Sequence, residues 1–209
     1  ICAVDSCTAQ GEPPYSQLLH NMLTNSPGSA GRWEAFNIGV FGYSSAQGLK
    51  LFRKEAKQFE PDIATIYFGW NDHWLSGQKP DNIIMAVEMG PVAAKMYGAV
   101  NRLRLGQLIL GAAAGHSRYT SGIDGELRVP PAEYRSNLKA FIGEIRSVDA
   151  RPVLITARRG IITEDLVSSR QIKSVEDASR LHDQYVEITR QVAAETKTPL
   201  LDAAELFAT

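Results

Sequence analysis

The sequence predicts a three-layer α/β/α domain built on a central parallel sheet of about five strands. Apolar runs of strand length alternate with segments of helical period along the chain, the pattern of a parallel sheet covered on both faces. The 209 residues suffice for one sizeable domain with its own core. No repeat, low-complexity tract or linker divides them, so residues 1–209 read as a single domain.

The elements follow in order. An apolar run, Ile1-Cys2-Ala3-Val4, leads to Asp5 and forms the first strand. A helix is expected over residues 15–24, with Leu18, Leu19, Met22 and Leu23 turned inward. Residues 25–32 are rich in Ser, Pro and Gly and form a turn. The second strand is expected over residues 34–38. The next helix, residues 45–59, carries Leu49, Phe52, Ala56 and Phe59 at helical spacing. Pro61-Asp62 ends it and opens the third strand, residues 63–68. Residues 73–129 contain weakly amphipathic segments and many glycines, and read as an insertion over the face where an active site would lie. Pro130-Pro131 then opens a helix with Tyr134, Leu138, Phe141, Ile145 and Val148 on one face. Val153 to Thr156 is the fourth strand. Ser174 caps a long helix with the stripe Val175, Ala178, Leu181, Tyr185, Ile188 and Val192. Pro199 to Leu201 is a short fifth strand.

Charged residues make up 22% of the chain and the net charge is -1, which leaves no basic footprint for nucleic acid. The longest apolar stretch, Leu105 to Gly115, is well short of the ~20 residues of a membrane span. Ile1 already lies inside a strand, and Leu200 to Phe207 reads as a strand end entering a helix, so both ends are read as cut. The compartment stays open, secreted and membrane-anchored forms included. Cys2 and Cys7 are the only cysteines, and their spacing fits neither a metal nor a redox motif. Cys2 reads as a small core residue. Cys7 has no adjacent His or basic residue to lower its pKa, which argues against it as a nucleophile.

Three short stretches sit just past the ends of different strands. Asp5-Ser6 follows the first, Gly39 the second and Gly69-Trp70-Asn71-Asp72 the third. Ligands of such sheets bind beyond the carboxyl ends of the strands, near the point where strand order reverses. The three stretches therefore converge although far apart in sequence. A serine hydroxyl attacking an ester carbonyl leaves negative charge on the carbonyl oxygen. The backbone N–H groups of Ser6 and Gly39 and the side-chain amide of Asn71 are suitable donors to that charge. Each residue also has a plain structural reading. Ser6 and Gly39 serve as turn residues, Asn71-Asp72 as a cap or side-chain-bonded turn, and Asp5 and Asp72 as loop stabilisers. Of the histidines, His73 lies next to the third stretch and is a candidate pocket residue or base. His20 and His182 fall on helices, structural or solvated, and His116 falls in the insertion. Trp70 and Trp74 either wall an acyl or sugar pocket or pack in the core. Arg158-Arg159, past the fourth strand, either meet an anionic substrate or form a solvated turn.

The three stretches in this order resemble the SGNH, or GDSL-type, hydrolases. The family's Gly-Asp-Ser block reads here Val4-Asp5-Ser6-Cys7-Thr8-Ala9-Gln10-Gly11. Its second block is matched by Asn37-Ile38-Gly39-Val40-Phe41-Gly42-Tyr43-Ser44, and its Gly-x-Asn-Asp block by Gly69-Trp70-Asn71-Asp72. The resemblance spans essentially the whole chain. It implies a flavodoxin-like three-layer fold and hydrolysis of a carboxylic ester through an acyl-serine, with Ser6, Gly39 and Asn71 as the catalytic residues and no metal or organic cofactor. The implied substrate is a small-molecule, lipid or carbohydrate ester.

Two features depart from the family. Val4 stands where it has Gly, and its last block, Asp-x-x-His, occurs nowhere in residues 1–209. In the family that block follows the last strand by some tens of residues, a position beyond Thr209. Either the Asp and His lie there or the domain is a non-catalytic binding module. An acyltransferase on the same site is a further alternative. A nucleotide-binding module is disfavoured, because residues 6–14 carry no Gly-x-Gly-x-x-Gly or Walker pattern.

Overall fold

The computed structural model describes residues 1–4, 13–26, 33–76, 80–81 and 126–208. Four parallel strands, β1 (Cys2–Val4), β2 (Ile63–Tyr67), β3 (Arg151–Ile155) and β4 (Leu200–Leu201), lie side by side in that order. The segment expected as the second strand is reduced to one parallel bridge, Cys2 to Asn37. It is held by Cys2 N–H to Phe36 O at 2.8 Å and Ile38 N–H to Cys2 O at 3.2 Å. Trp33 and Phe36 are 37% and 44% exposed, so little packing supports a longer ladder there. Because β1's other edge is taken by β2, this segment lies outside β1. Counting this segment and the four strands by the order of the five expected from the sequence, the arrangement runs second, first, third, fourth, fifth, the flavodoxin-like order, with its switch point beside β1.

One face of the sheet carries the core. Ala64, Ile66 and Phe68 alternate along and just past β2, each at most 1% exposed. They pack against α2 (Ser45–Glu55), α3 (Pro131–Arg146) and α5 (Val175–Thr196) through Phe52, Leu138, Phe141 and Tyr185. The Phe68 and Phe141 rings stack at 5.4 Å, and Phe52 meets Phe141 edge-on at 5.9 Å. Burying each such ring stabilises the fold by ~1.5–3 kcal/mol. Helix α2 lies this close to the sheet because position 48 is Gly: a Cβ there would stand 2.2 Å from the Phe68 ring.

Local signals set the helix ends. Ser44 and Gln47 form a reciprocal capping box at the start of α2. Pro131 occupies the first turn of α3. The Ser174 hydroxyl accepts the Asp177 N–H at 3.0 Å at the start of α5. The expected buried stripe of α5 holds at Ala178, Tyr185, Ile188 and Val192. Helix α2 ends four residues early. Residues 56–59 tighten into a 3₁₀ turn that keeps Ala56 buried but leaves Phe59 49% exposed, stacked on Phe36 at 5.7 Å.

Helix α1 (Tyr15–Thr24) covers the opposite face. Its Tyr15 hydroxyl bonds the Thr65 hydroxyl at 3.1 Å and receives the Cys2 thiol at 3.5 Å. Cys2 is buried and free. The expected inward set of α1 is half wrong, since Leu18 and Met22 are 48% and 70% exposed. Two apolar stripes run along this helix about one residue apart. The stripe through Tyr15, Leu19 and Leu23 faces the sheet and turns Leu18 and Met22 outward. Leu19 and Leu23 line a cavity of about 620 Å³ with Trp33, Phe36 and Ile63. A short helix unforeseen in the sequence, α4 (Glu164–Ser168), follows β3, and the helix expected after the last strand is α6 (Ala203–Leu206). Among the described residues no helix is long and apolar enough to cross a membrane.

Candidate active site

Strand register brings together, at one edge, the segments that lead into the three motif-bearing stretches. Val4, the last residue of β1, pairs with Tyr67, the last of β2, and Cys2 bridges Asn37. The chain therefore leaves toward Asp5-Ser6, Gly39 and Gly69–Asp72 from three adjoining extended segments at their carboxyl ends. Asp5, Ser6 and Cys7 lie outside the described residues, as does His116.

After β2 the chain turns sharply at Gly69, whose φ of +124° is closed to other residues without strain. A side chain there would also press on the Tyr134 hydroxyl at 3.2 Å. Asp72, fully buried, holds the turn: one carboxylate oxygen accepts the Gly69 N–H at 3.0 Å, the other the Ser45 N–H at 2.9 Å. The second bond places its charge at the positive end of α2. Tyr134 donates to Phe68 O at 2.9 Å and fixes the strand exit from the core side.

These contacts leave Asn71 half-buried at the edge, its amide donating to Tyr43 O at 3.1 Å. A carboxamide nitrogen carries two hydrogens, so one sets the orientation and the other remains to donate. Tyr43 lies four residues beyond Gly39, and the third stretch thus rests on the loop that follows the second. Gly39 N–H donates to Asn37 Oδ1 at 2.8 Å in an exposed turn. An oxyanion would have to displace the Asn37 side chain to receive that N–H.

The same loop is held from a second side. Arg128 donates to Gly42 O at 2.8 Å, to Gln47 Oε1 at 2.9 Å and to Asp81 at 2.8 Å. Asp81 also accepts the Ser44 hydroxyl at 2.7 Å. Asp81 and Arg128 stand near the two ends of the predicted insertion. The described parts of that region pair: Leu75 bridges Leu127 antiparallel, Ser76 N–H reaches Glu126 O at 2.7 Å and Asp81 N–H reaches Arg128 O at 2.7 Å. Residues 77–79 and 82–125 lie outside the described residues. Nearby Glu133 is pushed above the ordinary carboxylate range, first by burial and then by the charge of Asp81.

Two histidines meet beneath the edge. His73 and His182 are 2% and 1% exposed, with His73 Nε2 and His182 Nδ1 3.3 Å apart. His182 Nε2 lies 3.0 Å from Ala157 O, so that nitrogen carries the proton; in a neutral ring Nδ1 then accepts from His73 Nε2–H. Among the described residues, His73 Nδ1 and the Trp74 indole N–H have no hydrogen-bond partner. Trp70 packs edge-on against His73, Trp74 and His182 at 5.4–5.7 Å. Burial, and then the neighbouring His182, push His73 down to about 3. His182 is lowered as well, first by burial, against the opposing effect of the Ala157 carbonyl. An imidazole held so weakly basic is poorly matched to proton abstraction near neutral pH.

Past β3, the exposed Arg159 pairs with Asp183 and the Arg158 guanidinium lies 5.8 Å from the Phe207 ring centroid. Asp202 accepts from Arg190 at 2.7 Å and from the Thr156 hydroxyl at 2.8 Å and caps α6. Hydrogen bonding from Arg190, its largest influence, holds Asp202 below the ordinary range. Among the described residues no group of three or more His, Cys, Asp or Glu is placed to hold a metal ion.

Sequence reasoning missed the Arg128–Asp81 clamp, the Tyr43 carbonyl and the pairing of His73 with His182. Only the Ser44-x-x-Gln47 capping box had a local signature.

Four parallel strands with a further bridge beside β1 make an α/β fold of the doubly wound kind, and the comparisons specify it further. The chain belongs to the GDSL-like lipase/acylhydrolase family, whose model matches residues 5–209. It is accordingly a carboxylic ester hydrolase of the GDSL esterase–lipase type. Solved structures share the fold at low identity. A lipase/acylhydrolase from Enterococcus faecalis is 18% identical with a TM-score of 0.57, over 99% of this chain and 76% of that one. Axe2, an acetylxylan esterase from Geobacillus stearothermophilus, is 16% identical with a TM-score of 0.56, over 99% and 78%. The psychrotrophic esterase EstA from Pseudoalteromonas is 14% identical with a TM-score of 0.54, over 96% and 74%. No curated protein sequence matches the chain.

Proposed function

We propose that the protein hydrolyses a carboxylic ester through an acyl-serine intermediate, with Ser6 as nucleophile and Ser6 N–H, Gly39 N–H and Asn71 Nδ2 as oxyanion donors. The observation that carries the reading is the Asn71 amide, pinned to Tyr43 O beside the Gly39 loop with one hydrogen left to donate. Held donors of this kind stabilise developing charge without reorganising during the reaction. Gly39 N–H joins them when the substrate oxygen displaces the Asn37 side-chain oxygen Oδ1.

Ser6 needs a base to take its proton. His73 and His182 are buried against each other, and this reading assigns them no part in proton transfer. The base in this proposal is a His following residue 209, oriented by an Asp three residues before it, as the family pattern implies. It would take the serine proton during acylation and return one to the departing alcohol. Substrates in this reading are small esters, or acyl groups on lipid or carbohydrate.

The test is hydrolysis of p-nitrophenyl acetate and butyrate by the full-length protein beside Ser6→Ala. The proposal expects turnover by the parent and loss of it in a variant with an unchanged circular dichroism spectrum. Equal turnover by both proteins would remove Ser6 from the mechanism.

A further inference from the structure

We infer that Arg128 is a positioning residue that couples the insertion to the oxyanion donors, by holding the Gly42–Tyr43 segment that aims Asn71. The inference rests on the proposed role of Asn71. Arg128 spreads its guanidinium over three groups from separate parts of the chain: the Gly42 carbonyl, the Gln47 side chain and the Asp81 carboxylate. Gly42 and Tyr43 are adjacent, so the carbonyl Arg128 grips neighbours the carbonyl that receives the Asn71 amide. Gly42 has a φ of +73°, a turn conformation in which its carbonyl direction depends on what holds it. Asp81 joins the same cluster through the Ser44 hydroxyl at 2.7 Å, at the N-cap of α2.

The geometry goes beyond an ion pair that stabilises the fold. The Arg128 and Asp81 side chains are 21% and 9% exposed, so the pair is largely desolvated. Asp81 lies in the first part of the insertion of residues 73–129 and Arg128 next to its end. A displacement of either end moves the guanidinium, and through Gly42 the position of Tyr43 O. A donor shifted by a fraction of an ångström from the oxyanion loses much of its effect. The planar fork matters here, because Lys can keep the ion pair but cannot also reach the carbonyl and the Gln47 oxygen.

The experiment compares the full-length protein with Arg128→Lys and Arg128→Met. Three readouts are taken: kcat and KM on p-nitrophenyl acetate, thermal midpoint, and the side-chain amide resonances of Asn71 in ¹⁵N-labelled protein. Arg128→Lys should keep most of the thermal midpoint yet lose about 10- to 100-fold in kcat, with KM within about twofold. Its Asn71 NH₂ signals should lose the protection from exchange conferred by Tyr43 O. Arg128→Met should show the same kcat loss with a lower midpoint. A kcat for Arg128→Lys within about twofold of the parent, with unchanged Asn71 signals, overturns the inference. If the parent itself neither turns over nor labels at Ser6, the proposed function fails. The Asn71 signals still decide whether Arg128 positions the amide.

Discussion

Mild acid should destabilise this protein through His73 and His182, and the size of the effect follows from their burial. In the unfolded chain each imidazole takes up a proton near its ordinary value of 6.5, whereas folded His73 does so only at about 3. The unfolded state therefore binds more protons between those values. Stability is fully present above about pH 6.5 and declines as pH falls toward the folded value. The loss runs at about 1.4 kcal/mol per pH unit for each such group. His73 alone should remove about 2 kcal/mol between about pH 6.5 and pH 5. His182, lowered in the same direction, adds a loss of the same sign. Against a typical folding stability of ~5–15 kcal/mol this is a large fraction. Asp202 and Glu195 are held down rather than up and take protons in the unfolded chain near 3.8 and 4.5, so they act mainly below this window. Urea denaturation followed by circular dichroism at three pH values, for the parent and His73→Gln, isolates the term. A Gln at 73 cannot titrate and can still offer an N–H toward His182 Nδ1. The parent should lose about 2 kcal/mol more than the variant across the window. Parallel losses in the two proteins would refute the argument.

Two further substitutions test other levels of the account. Asn71→Ala removes one oxyanion donor and should lower kcat on p-nitrophenyl acetate by ~100- to 1000-fold while KM changes little; an unchanged kcat would take Asn71 out of the site. Gly48→Ala drives a methyl into the Phe68 ring, which lies 2.2 Å from the ideal Cβ position. The result should be a loss of ~1–3 kcal/mol in urea denaturation despite alanine's better helix propensity, and a gain in stability would show that the ring gives way freely.

What the sequence revealed depended on the range of the interactions concerned. Strands β2 and β3 and the buried faces of α3 and α5 were legible because apolar spacing alone specifies them. Helix α1 was misread because two adjacent stripes of similar hydrophobicity compete, and only the position of Tyr15 against Thr65 decides between them. Phe59 was misplaced because the tightening into a 3₁₀ turn has no strong marker in Ala-Lys-Gln-Phe. The second strand was overdrawn because an apolar run does not reveal that its side chains stay exposed at a sheet edge. At the candidate site, the backbone places Asn71 and the Gly39 loop at the carboxyl edge of the sheet, and Ser6 lies outside the described residues. The groups that aim Asn71 were invisible. Arg128 meets Asp81 across 47 positions and Gly42 across 86, and His73 meets His182 across 109. None of these pairs has a spacing that local reasoning can detect.

The central claim is that Ser6 carries the acyl group, and a fluorophosphonate tests it without knowledge of the natural substrate. The full-length protein is treated with the reagent, digested and mapped by mass spectrometry, beside Ser6→Ala. The account predicts one adduct, on Ser6, accompanied by loss of ester turnover and absent from the variant. An unmodified Ser6 in a protein that still hydrolyses p-nitrophenyl acetate, or an inhibitory adduct on another residue, would contradict it.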